Sequence, residues 1–103
     1  MDAYSKIIEE FSAFPRDVST VPTTERDGKW FYVFVKNGEL YVESGHEKEP
    51  KSAVRRRKLK ESECLPLLGL YHRRESGEAV YAEAHRITYS QVYWYGIFEE
   101  MNM

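Results

Sequence analysis

The run from Lys29 to Glu43 constrains this chain more than any other, because Asn37-Gly38 divides two stretches with strong strand character. Asn and Gly accept positive φ at both central positions of a type I′ turn, whose twist matches that of the strands it joins. A two-residue loop also fixes the register. Lys36 opposes Glu39, Val35 opposes Leu40, Phe34 opposes Tyr41, Val33 opposes Val42 and Tyr32 opposes Glu43. One face then carries Phe31, Val33, Val35, Leu40 and Val42. The other carries Trp30, Tyr32, Phe34 and Tyr41, with Glu43 at its end. A sheet face left to water is normally polar, so this aromatic stripe needs cover from the chain itself, a second subunit or a ligand.

Periodicity places the remaining elements around the hairpin of residues 29–44. Tyr4, Ile7, Ile8, Phe11 and Phe14 recur at helical spacing behind Asp2, a good N-cap, which predicts an amphipathic helix over 3–14 ended by Pro15. Its apolar stripe is expected on the Phe31/Val33/Val35 face. Residues 16–28, rich in turn formers, read as a surface loop. Residues 52–60 read as a third, basic edge strand, where long cationic side chains discourage further pairing. A helix is expected over 63–76, capped by Ser62 and stopped by Gly77, and a short one over 79–86. Thr88 with Gln91 has the form of a capping box, and Ile87 with Val92 that of a hydrophobic staple, starting a helix over 89–101. That helix is apolar nearly all round, so it belongs in the core or at a subunit interface. Gly96 within it hints at the close approach of another backbone. The expected fold is α+β: one domain over 1–103, in the order α-β-β-β-α-α-α, with a three-stranded antiparallel sheet and helices on at least one face.

Composition bears on function more than on fold. At 103 residues the chain can bury a core without staples, and its one cysteine, Cys64, excludes an internal disulfide framework and favours a reducing compartment. No stretch approaches the roughly 20 apolar residues of a membrane span, and the N-terminus lacks a signal-peptide pattern. The expectation is a cytoplasmic protein with no membrane partner. Net charge is only −2, but residues 51–74 carry eight basic and two acidic side chains, while both flanks are acidic. Arg55, Arg56, Arg57 and Lys58, with Arg73 and Arg74, are therefore candidate phosphate contacts, and the Trp30/Tyr32/Phe34 face could stack unpaired bases. The segment 65–101 also has a helix-turn-helix outline in which Gln91 could read adenine. An overall pI near 5.9 weighs against a dedicated nucleic-acid binder.

No catalytic or cofactor pattern emerges. His46, His72 and His85 share no metal-ligand spacing, Cys64 sits among leucines as core cysteines do, and no phosphate loop or nucleophile elbow occurs. The chain is expected to be non-enzymatic, with no cofactor and no metal. Aromatic residues make up 15% of it, eight of them Tyr, which suits an interface. The leading expectation is a small interaction module that forms a homodimer through Trp30, Tyr32, Phe34, Tyr41, Tyr93, Trp94 and Phe98. The alternative is nucleic-acid binding through the basic segment 51–74, with either the aromatic sheet face or the helix-turn-helix-like unit.

Overall fold

The computed structural model describes residues 2–22 and 27–103. Its elements run α1 (Ala3–Ala13), β1 (Arg16–Ser19), β2 (Trp30–Lys36), β3 (Glu39–Ser44), β4 (Arg57–Leu59), α2 (Glu61–Glu75), α3 (Tyr81–Ile87) and α4 (Gln91–Glu100). The four strands form one antiparallel sheet in the order β1-β2-β3-β4. The fold is α+β.

The hairpin forms in the register set by its turn, from Lys36 opposite Glu39 to Tyr32 opposite Glu43. Asn37 and Gly38 take φ of 54° and 75°, the positive values that a type I′ turn demands. Phe31, Val33, Leu40 and Val42 are fully buried on one face, joined by Val18 from β1 and Leu59 from β4. The helices complete this layer. α1, begun where Asp2 accepts a hydrogen bond from the Ser5 N–H at 2.8 Å, buries Ile7 and Phe11 in the same core. α2 adds Cys64, Leu67, Leu70 and Tyr71.

The sheet has four strands rather than three. The extra one, β1, lies in the stretch read as a loop over 16–28, of which residues 23–26 fall outside the described residues. In four residues it has one apolar side chain, Val18, so no periodicity marks it. What makes it a strand is the free edge of β2, against which Arg16–Ser19 pairs with Val33–Trp30. The basic strand is shorter than the span 52–60. Only Arg57–Leu59 pair with β3, because beyond them the Ser44 hydroxyl replaces the ladder, donating to the Val54 carbonyl at 3.1 Å and accepting its N–H at 2.9 Å.

α4 is a core helix. Trp94, Tyr95, Gly96, Ile97 and Phe98 are five consecutive buried residues, spanning more than a full turn. Their neighbours are α2 on one side and β1 and Phe31 on the other. The capping box assigned to Thr88 and Gln91 does not form. Ser90 is the N-cap of α4 and makes no side-chain cap bond; its hydroxyl instead accepts from Arg57 Nη1 at 3.1 Å. Thr88 ends α3, and its Oγ1 accepts the Ser90 N–H at 3.0 Å. α2 likewise starts at Glu61 behind Lys60, without a Ser62 cap.

Candidate functional site

All helices contribute to the Phe31/Val33 side of the sheet, which leaves the opposite side with no helix over it among the described residues. Alternation along the strands puts Asp17 of β1, Trp30, Tyr32 and Phe34 of β2, Glu39, Tyr41 and Glu43 of β3, and Lys58 of β4 on this open side. The four rings are half-buried and follow one another along this face, three of them in ring contact. Tyr32 lies 5.8 Å from Phe34, and Phe34 stacks on Tyr41 at 5.6 Å.

Cations and one imidazole cover part of the row. His46 stacks on Tyr32 with centroids 3.5 Å apart and planes 4° from parallel. The Lys48 ammonium lies 4.3 Å from the centroid of the Trp30 ring, and the Arg56 guanidinium 5.3 Å from that of Phe34. Such contacts satisfy the negative face of each ring while the charge stays wet.

His46 and Lys48 belong to a strap that one carboxylate pins down. Asp17 Oδ1 accepts the His46 N–H at 2.8 Å, and Oδ2 accepts those of Glu47 and Lys48 at 2.8 and 2.9 Å. Burial would push the Asp17 carboxyl up, but the three backbone donors outweigh it and hold the group below the usual carboxylate range. Glu43 is held low as well, first by its hydrogen bond to His46 at 2.6 Å and then by Arg56. Asp17 and the strap were missed in the sequence, because an aspartate inside an apparent loop gives no sign that it will face three amides 29 to 31 residues away.

A prediction follows for Asp17. A carboxylate with a depressed folded-state pKa adds stability that is fully present above its unfolded value, about 4, and is lost as pH falls through the lower folded value. Asp17→Asn should cost roughly 2 kcal/mol at pH 7, since charged acceptors of this kind are worth the most. It should also narrow the gap in urea stability between pH 7 and pH 3. Equal gaps in variant and parent would show that the strap does not rest on the Asp17 charge.

The other candidate residues disperse. Trp94 and Phe98, assigned to an interface, are fully buried within the chain, their rings stacked at 5.7 Å. Both belong to the core, packed where α4 meets α2 and the sheet. Tyr93 is half-buried against Phe31 and under Arg57. The basic residues do not line up as one phosphate track. Arg56 pairs with Glu43 at 3.0 Å and Lys58 with Glu39 at 3.4 Å. Arg57 holds Ser90, Arg73 bridges Glu78 and Glu83, and Arg74 donates to the Val21 carbonyl and to Glu75. Arg55 alone has no such partner among the described residues. A helix-turn-helix reading also fails geometrically. Gln91 is buried, its amide turned back toward the Thr88 carbonyl at 2.9 Å and His85 Nδ1 at 3.1 Å, away from any groove.

Cys64 is buried at the start of α2, and burial, aided by Asp2 and Glu61, pushes its thiol up to about 11, so it is a protonated core residue at neutral pH. The three histidines lie apart: His46 on Tyr32, His72 against the Met103 carbonyl, and His85 between Tyr81 and Tyr89. No helix of the described residues is long and apolar enough to cross a membrane. Comparison of the chain with protein-family models, curated proteins and solved structures finds no match, so its functional reading rests on its own geometry.

Proposed function

We propose that this chain is a small non-enzymatic interaction module that pairs with a second copy of itself through the open face of its sheet. The row of Trp30, Tyr32, Phe34 and Tyr41 carries the reading, since it is an apolar strip on a surface that has no helix over it among the described residues. Opposite charges flank the strip, with Glu39 beside Lys58 and Glu43 beside Arg56. Under a two-fold axis each pair can exchange partners with its counterpart, which makes the face self-complementary. Pairing through sheet edges is disfavoured, because β1 has four residues and β4 three. The lone, buried Cys64 suits work in a reducing compartment such as the cytoplasm.

Light scattering at micromolar concentration should report about twice the chain mass. Phe34→Glu and Tyr41→Glu should give folded monomers, because both rings are only partly buried and lie outside the core. A parent protein that stays monomeric at hundreds of micromolar rejects the dimer. In that event the second reading, single-stranded nucleic acid stacked on the same rings, draws on Arg56 over Phe34 and Lys58 opposite Tyr41. Its mark would be oligothymidine binding that weakens steeply with salt.

A further inference from the structure

A cleft of about 660 Å³, distinct from the four-ring row, opens between the chain leaving β1, the α2–α3 turn and the first turns of α4. That volume lies in the range of small-molecule sites. Its walls are largely apolar, with Val21, Val80, Val92, Tyr93 and Tyr95 among them. One charged side chain in it, Arg74, has donors to spare. The Arg74 side chain is only 13% exposed, and its guanidinium lies 4.9 Å from the centroid of the Tyr95 ring. Two of its five N–H donors are used, on the Val21 carbonyl and on Glu75, and the rest have no partner among the described residues. Tyr95 is 5% exposed, and its hydroxyl, fully shielded, has no hydrogen-bond partner among them either. A buried donor of this kind is rare enough to need a reason. Burial raises the Tyr95 pKa, so the phenol stays protonated.

Lys29 also lines the cleft, as do Asp27 and Glu78, so among the described residues its charged side chains balance. That balance disfavours a polyanion and suits one negative group. We propose that this cleft binds a small aromatic monocarboxylate, its ring body among the apolar walls and its carboxylate accepting from the spare donors of Arg74. The planar guanidinium matches a carboxylate fork, and the neighbouring tyrosine rings suit a flat aromatic body.

Titration of the full chain with naphthalene-2-carboxylate, followed by amide NMR shifts, tests the assignment, with naphthalene-2-carboxamide as the uncharged control. Saturable shifts should concentrate at Val21, Val80 and Val92 to Tyr95, with the carboxamide binding at least tenfold more weakly. Arg74→Met should weaken the carboxylate at least tenfold. Tyr95→Phe should raise the melting temperature of the ligand-free protein, since it removes an unpaired buried hydroxyl, and leave the carboxylate affinity at the parent value because that hydroxyl is shielded from the cleft. Equal affinity for carboxylate and carboxamide, parent affinity in Arg74→Met, or shifts centred on Trp30 to Tyr41 would each overturn the proposal.

Discussion

Trp94→Ala is expected to destabilise the protein by about 3–5 kcal/mol, the range for deleting a large aromatic from a packed core. The side chain is fully buried between α4 and its neighbours, stacks on Phe98, and donates from Nε1 to Glu63 Oε1 of α2 at 3.1 Å. Truncation removes that apolar contact, opens a cavity and takes away the donor that ties Glu63 to α4. Total stability for a domain of this size is about 5–15 kcal/mol, so a large share of it rests on one residue. Urea unfolding measures the loss, with Trp94→Phe expected to recover most of it. The experiment also separates the two fates open to Trp94 from sequence. An interface residue would alter association and spare the fold, whereas a core residue does the reverse. A Trp94→Ala variant within 1 kcal/mol of the parent would contradict the packing described here.

Gly96→Ala should destabilise by about 2–3 kcal/mol, although alanine is normally the better helix former by about 1 kcal/mol. A Cβ at Gly96 would stand 2.6 Å from the Ser19 carbonyl oxygen and 2.9 to 3.0 Å from Cζ and Cε1 of Phe31. Neither obstacle yields easily: one is backbone of β1, and the other is a fully buried ring. Relief requires α4 to lift from the sheet, which loosens the contact that holds β1 in place. Gly69 in α2 is the matched control. It is exposed with nothing within 4 Å of its Cβ position, so Gly69→Ala should stabilise by about 1 kcal/mol. Thermal melts should therefore move in opposite directions, by roughly 10–20 °C downward for Gly96→Ala and about 5 °C upward for Gly69→Ala. The same sign for both would remove the close approach as an explanation.

What the sequence determined by itself was local. The I′ turn at Asn37-Gly38 set the hairpin register, and the register divided Phe31 and Val33 from Trp30, Tyr32 and Phe34 before any tertiary contact was considered. Asp2 and the Ile7/Phe11 spacing defined α1 in the same way. Gly96 announced a close approach because its cost inside a helix has no local compensation. Tertiary structure decided whatever depends on a partner distant in the chain. β1 exists because β2 had an open edge, and Ser90 displaced Thr88 as N-cap of α4, its hydroxyl committed to Arg57. The two tryptophans show the difference most plainly. Trp30 and Trp94 lie in equally aromatic runs, yet one ends in the core and the other on an open face under Lys48. Composition registers how apolar a segment is; only the placement of α2 against α4, and of the Asp17-held strap across the sheet, settles which apolar surface is removed from water.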